Sequence, residues 1–533
     1  VSDNSTRGTG AEGGGIHVRL ASGGSALITS NTASGNSTSR GFGSGMGIFA
    51  EVIDGGIVKI TSNTVVDNSF PRPPSGFAGI ATDTRTGGAA VIADNTVEGN
   101  FGGISAHGSG TTEIVRNQII NNTFTGLSLH TSGGGVMRSS DNVVTGNETD
   151  FEGGGLLLVA RTGGSILVTD TTVAGNVSER FGGGISARVQ DGGSVTIAHT
   201  TISNNYTRSD GAGMWVSNSN GTLIVEESTF SANSADGFGG GIVAADYGGG
   251  GGTTVRHSTI TNNTADKDND GVGSGGGVFV AEEVVTLDHT IVAGNHDNSG
   301  AANDVAGILN SNYSLIGFGA DFLGPLADNG GLTLTHALLP GSPAIDAGNP
   351  SFVSLSDFDQ RGAPFSRVFN GRIDIGAVER HTGDMNFDGE LDFDDVDALV
   401  LGLTDPGGYE VVYGAPPNSN GDTDGEGDLD FDDIPGFVNL LSPGAIALRA
   451  ENGSFDVIGV KNDLVKLSAE TRREAANVTN LPRPNLLPVL NKMVISARLQ
   501  SASAARELRD DELATVWSDG FDWLHSVDRD RFG

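Results

Sequence analysis

Two acidic stretches hold the residue types and spacings best suited to chemistry. DMNFDGELDFDD (384–395) places oxygen side chains at loop positions 1, 3, 5, 9 and 12, glycine at 6 and the apolar Leu391 at 8. Calcium takes six to eight hard oxygen ligands around a sharp turn, and this spacing supplies them. Asp384, Asn386, Asp388, Asp392 and Asp395 are the side-chain candidates, while Glu390 at position 7 offers a backbone carbonyl. DTDGEGDLDFDD (422–433) repeats the pattern 38 residues later with Asp422, Asp424, Glu426, Asp430 and Asp433, and with Asp428 at position 7. Glu426 is one methylene longer than the Asp388 it replaces, so the first loop is the tighter expected site. The apolar set around the loops is small (Leu391, Val396, Leu399, Leu429, Ile434, Phe437), so this region is expected to fold only with the ion bound.

A second set of polar residues recurs along the first half of the chain: Ser30, Ser62, Asp94, Arg116, Asp141, Asp170, His199, Glu227, His257 and His289. One reading makes it a catalytic or metal-binding strip, with His199, Glu227 and His257 as the trio to inspect. The other reading is a solvent-exposed corner that favours short polar side chains, with neighbouring Asn and Thr satisfying the backbone. The residue type drifts along the file instead of forming one fixed cluster, which favours the second.

Both sets depend on the elements that position them. The file belongs to a phrase that occurs ten times, from ITSNTASGN (28–36) through VTDTTVAGN (168–176) and IAHTTISNN (197–205) to LDHTIVAGN (287–295). Its closing Asn recurs about every 29 residues, a repeat-architecture period. Aligned on that Asn, two β-branched columns flank a polar corner: Ile28, Ile60, Ile92 and so on to Leu287, and Ala33, Val65, Val97 and so on to Val292. This pattern describes two short strands joined by a bend. A Gly-rich phrase precedes most of them, as in GGGI at 182–185 and 239–242, and introduces another strand. Each coil buries its apolar face only by stacking on its neighbours. The 84 Gly in 533 residues and the many β-branched residues oppose helical coils. The fold class is mainly β, a right-handed parallel β-helix over 1–317.

Three Pro in SFPRPPSGF (69–77), and the insertions ADYGGGGGT (245–253) and ADKDNDGVGSGG (265–276), read as loops thrown off the coils. VSDN (1–4) matches the end of a repeat phrase, so the chain opens in mid-coil and the period predicts further protein upstream. Turn signals at 328–331 and 340–343 break the repeat, and 318–382 is expected to cap the open end of the stack. Within it, Asp346, Arg361 and Asp374 are read as structural ion-pair residues. Residues 383–443 contain the acidic loops, each followed by an apolar helical stretch (396–403 and 434–441). The tail, 444–533, holds an amphipathic helical pattern at 501–527.

Net charge is −35, and residues 384–433 hold 16 Asp or Glu with no Lys or Arg. Nucleic acid and anionic membrane are therefore poor partners, and cations good ones. No Cys is present, which removes disulfide and thiolate chemistry. No apolar run is long enough to span a membrane.

Several segments resemble known families. The GGGI and TISNN phrases are similar to polymorphic outer-membrane-type repeats, and the broader architecture is that of pectin-lyase-like solenoids. Pectate lyases and polygalacturonases share it, but their clustered acid pairs have no counterpart in these coils. GPLADNGGLTLTHALLPGSPAIDAG (324–348) with GRIDIGAVE (371–379) resembles the choice-of-anchor Q region, which implies a surface or secreted protein. The paired loops ending in Asp at position 12 resemble a dockerin type I module, implying a small α-helical calcium-binding unit and a cohesin-like partner. The Pro-rich linker YGAPPNSN (413–420) and Pro435 depart from that pattern. The leading functional reading is an exported bacterial cell-surface or secreted protein that binds calcium and presents its coils to extracellular polysaccharide or another cell. The alternative is a polysaccharide lyase or glycoside hydrolase on the coil face, with the dockerin-like pair as targeting module.

Overall fold

The computed structural model describes residues 2–441, except 7–14, 22, 39–46, 70–78, 246–249, 282–283, 298–302, 340, 353–355, 370–371, 388–390, 392–394, 414 and 425–426. The tail and the Pro-rich insertion therefore lie outside the described residues. Two compact units divide the chain, Val1–Arg380 and His381–Gly533.

The first unit is a right-handed β-solenoid. One coil shows the plan: strand Ile185–Gln190, a Gly turn, strand Ser194–Ala198, a corner, strand Thr201–Ser203, a second corner, and the two-residue strand Tyr206–Thr207. Equivalent strands of successive coils pair in parallel. They form three eleven-stranded sheets, here sheets 1, 2 and 3, and a six-stranded sheet 4. Register is strict: Val168, Ile197, Val225, Val255 and Leu287 are successive partners in sheet 2. Val173, Ile202, Phe230, Ile260 and Val292 follow one another in sheet 3. Both repeat columns are buried, most members completely. A fully buried Val, Ile or Leu contributes about 1.5–3 kcal/mol, so each coil is held mainly by its neighbours.

Both corners are single left-handed residues. The first runs from Ser30 (φ 56°) through His199 (48°) to His289 (48°). At the second, the position before the closing Asn is mostly Gly, Asn or Asp, as in Gly175 (63°) and Asn204 (54°). Gly, Asn and Asp reach this conformation most cheaply, which is why those types recur there. The closing Asn residues form a buried ladder. The Asn205 backbone N–H donates to Asn233 Oδ1 at 3.0 Å, and its Nδ2 donates to Asn233 Oδ1 at 2.9 Å and Val173 O at 3.0 Å. A shorter ladder follows the first corner, from Asn31 to Asn142, and continues as Thr and Ser.

Residues 318–380 belong to the same unit as the coils and lie against their side. Leu323–Ala327 and Thr335–Leu338 pair antiparallel, and the irregular chain beyond crosses the outer face of sheet 3. Thr229 Oγ1 donates to Gln360 Oε1 at 2.6 Å, Gln360 Nε2 donates to Thr201 Oγ1 at 3.1 Å, and Ala377 N donates to Thr259 Oγ1 at 3.1 Å. The expected end cap is thus a flank. Its polar atoms match a file of outward Thr, and its apolar residues Leu323, Leu338, Ala344 and Ile375 cluster with Ile291 and Ala293.

The second unit holds α1 (Asp395–Thr404), α2 (Pro406–Tyr413), α3 (Asn418–Gly421) and α4 (Ile434–Leu440) around Met385, Val396, Leu399, Tyr409 and Phe437. The two expected helical stretches are α1 and α4. The Pro-rich linker contributes α3.

Candidate functional site

The second acidic loop converges. Ligand oxygens of Asp422, Asp424 and Asp433 lie within 4.8 Å of one another. Asp433 is buried, and its Oδ1 accepts the Thr423 N–H at 2.7 Å and the Asp424 N–H at 3.3 Å. Burial raises the Asp433 carboxyl, and the nearby Asp424 charge raises it further. The Gly427 N–H donates to Asp422 Oδ2 at 3.1 Å, closing the turn. An all-carboxylate donor set of this size fits a hard divalent cation such as calcium. Asp430, expected at position 9, is not in this group; its Oδ1 accepts the Asp432 N–H at 2.7 Å. Asp428 is exposed, and Glu426 lies outside the described residues.

The first loop shows the same local wiring. Asp395, fully buried at the start of α1, accepts the Met385 N–H at 2.7 Å and the Asn386 N–H at 3.1 Å, as Asp433 does in the second loop. Asp384 is 1 % exposed. Asp388, Glu390 and Asp392 lie outside the described residues.

A third acidic group was missed in reading the sequence. Asp266, Asp268 and Asp270 also bring ligand oxygens within 4.8 Å of one another, on an insertion read only as a loop. The Gly271 N–H donates to Asp266 Oδ1 at 3.1 Å, the counterpart of the Gly427–Asp422 bond. The signal was available: DKDNDG (266–271) has acids at 1, 3 and 5 and Gly at 6, as DMNFDG does apart from Asn at 3.

The corner file splits into three parts. Arg116 is bidentate to Asp94, with Nε–Oδ1 at 2.8 Å and Nη2–Oδ2 at 3.0 Å. His199 sits between two carboxylates, Nε2–Glu227 Oε2 at 2.5 Å and Nδ1–Asp170 Oδ1 at 3.5 Å. Burial opposes its protonation, but hydrogen bonds and charge from Asp170 and Glu227 prevail and raise it to about 10. His257 is not part of that group. It stacks on His289 at 4.9 Å, and burial followed by the Arg367 charge lowers it to about 2.

The corner, expected to be exposed, is buried at Glu227, His257 and His289, because the flank covers it. Thr333 Oγ1 donates to the His199 carbonyl at 3.1 Å, and the Asn349 N–H donates to His289 Nε2 at 2.9 Å.

The matching flank residues include one that the sequence did not single out. Arg367 is 1 % exposed, and its Nη2 donates to the carbonyls of Asp374 at 2.9 Å and Gly376 at 3.0 Å. Burial pushes Asp374 up to about 6 and raises Glu379 as well, with Arg367 opposing both. Arg361 pairs with Asp359 at 2.7 Å, and Asp374 Oδ1 accepts the Asp346 N–H at 2.6 Å. Arg361 and Asp374, both buried, therefore serve the packing of the flank, to which the exposed Asp346 contributes its backbone N–H.

A family profile described as a right-handed β-helix region matches residues 1–124 and 117–295. The chain belongs to that family. No curated protein and no solved structure matches it. In this β-helix the matched residues cover the coils, while the acidic loops at 384–433 and the flank lie beyond them.

Proposed function

We propose that this β-helix is an exported bacterial protein of the cell surface or extracellular medium that binds calcium and presents its coils to polysaccharide or another cell. The observation carrying the reading is the Asp422, Asp424 and Asp433 group, three oxygen donors held by a turn that repeats the wiring of a neighbouring loop. Calcium there would neutralise carboxylates that otherwise repel one another, and ordering the loops would order their small core. Resemblance of 318–382 to the choice-of-anchor Q region, and of 383–443 to a dockerin-like module, supports an extracellular setting and a cohesin-like partner.

The outer face of sheet 1 supports the ligand class through its polar groups. Arg188 Nε donates to Glu152 Oε2 at 3.1 Å, a fixed charged pair of the kind sugar hydroxyls need as partners. Trp215 beside it is 4 % exposed and stacked on Phe181 at 4.9 Å. The test is a glycan array with the full chain, with calcium and with EGTA. Calcium-dependent retention lost in Asp422→Asn supports the reading; no retention of any glycan refutes the polysaccharide part.

The lyase or hydrolase alternative is favoured by one observation, the Asp170–His199–Glu227 group. Against it, an imidazole raised to about 10 is already protonated at neutral pH and cannot be the general base that a lyase needs. Depolymerisation of pectate or alginate that is abolished by Glu227→Gln would reverse this preference.

A further inference from the structure

Asn420 belongs to neither calcium loop, yet it joins the first positions of both. Its Nδ2 donates to the backbone carbonyl of Asp384, position 1 of the first loop, at 2.5 Å. Its own carbonyl accepts the N–H of Gly383, the residue before that loop, at 2.8 Å. Two residues further along the chain stands Asp422, position 1 of the second loop.

The amide is 1 % exposed, and its Oδ1 is buried without a hydrogen-bond partner. An orphaned buried acceptor costs about 1–3 kcal/mol. The side chain therefore spends all its hydrogen bonding on the first loop while its backbone leads into the second. Side chains couple the loops at the same place. A Cβ on Gly421 would stand 2.8 Å from Leu429 of the second loop and 3.2 Å from the Met385 side chain of the first. A side chain there would have to displace the tips of both Leu429 and Met385, so the two loops approach each other closely across Gly421.

We propose that Asn420 is a positioning residue that couples the two calcium loops, so that filling one raises the affinity of the other. The inference rests on the calcium reading above. An ion at either loop fixes the backbone of its position 1. Through Asn420 that fixes the backbone of the other loop before its ion arrives, and the second ion meets a smaller ordering cost. Coupling of this kind is typically worth about 5- to 150-fold in affinity.

The experiment is a calcium titration of the full chain read by hydrogen–deuterium exchange, which reports separately on peptides covering 384–395 and 422–433. In the wild-type chain, Asp424→Asn in the second loop should raise the calcium concentration for half-protection of 384–395 about tenfold. In an Asn420→Ala background the same Asp424→Asn change should leave that midpoint unmoved, although 384–395 still gains protection. If Asn420 were purely structural, Asn420→Ala would lower protection with or without Asp424→Asn and leave the Asp424→Asn shift in midpoint intact. Asn420→Asp, which keeps the size but removes the Nδ2 donor, should reproduce Asn420→Ala and serves if the alanine variant does not fold. An Asp424→Asn effect of equal size in both backgrounds, or none in the wild-type chain, overturns the coupling while leaving the calcium reading in place. Absence of calcium protection in the first loop alone overturns the coupling; absence in both wild-type loops overturns the calcium reading and the coupling with it.

Discussion

Truncating one rung in the middle of the Asn ladder, Asn205→Ala, tests whether polar stacking holds the coils together alongside apolar burial. Four side-chain hydrogen bonds go. Asn205 Nδ2 donates to Val173 O and to Asn233 Oδ1, and Asn205 Oδ1 accepts from Asn176 N and Asn176 Nδ2, all at 2.9–3.0 Å. Not all the partners are stranded. Asn176 Nδ2 keeps Val144 O, and Asn233 Oδ1 keeps the Asn205 backbone N–H. The Asn176 N–H and the Val173 carbonyl each lose a bond in a region closed to water. At about 1–3 kcal/mol for each unsatisfied buried group, the expected loss is about 2–6 kcal/mol. Asn31→Ala, near the start of the chain in the other ladder, removes bonds of similar length at a half-exposed site, where water replaces them. Its expected cost is about 1 kcal/mol or less. Urea denaturation followed by circular dichroism compares the two, provided both variants unfold with the wild-type slope. Equal losses for Asn205→Ala and Asn31→Ala, or an Asn205→Ala loss under about 0.5 kcal/mol, would refute the ladder's role.

Arg367→Met should loosen the flank by about 3–5 kcal/mol, because Asp374 and Glu379 would remain buried without their compensating charge; faster hydrogen exchange in 318–380 with unchanged exchange in the coil cores checks it. Burial lowers His257, His289 and His336, so their contribution is present above pH 6.5 and is lost as pH falls below it; for His257, lowered to about 2, the loss is about 1.4 kcal/mol per pH unit. Asp374, raised to about 6, acts oppositely, contributing stability at low pH that disappears as pH rises through 6. His257→Phe should therefore flatten the decline of urea midpoint between pH 6.5 and 4.5, and an unchanged decline would exclude His257 as a source. Calcium at about 100 times the dissociation constant of the second loop should stabilise the second unit by about 2.7 kcal/mol through that site, seen as a melting shift that EGTA removes and Asp422→Asn reduces.

The stack was legible because a coil touches only its neighbours, so one buried column fixes one sequence column at one period. Val173, Ile202 and Phe230 could be placed inside the solenoid from spacing alone, and their register followed. The same logic exposed the acidic loops, where ligand spacing is local to twelve residues. Where the flank sits could not be read this way. Thr201, Thr229 and Thr259 face outward and become buried, whereas Thr64, at the equivalent position of an earlier coil, stays exposed. Nothing in those threonines distinguishes them; the difference is made by Gln360 and Ala377, over a hundred residues away and in no periodic relation to them. The corner trio was separated for the same reason. His199, Glu227 and His257 share one column, but His199 and Glu227 join Asp170, and His257 faces Arg367 from the flank. Periodicity determines which side chains are stacked; whether a stacked histidine is bridged between carboxylates or buried neutral depends on an irregular segment that docks by shape and charge.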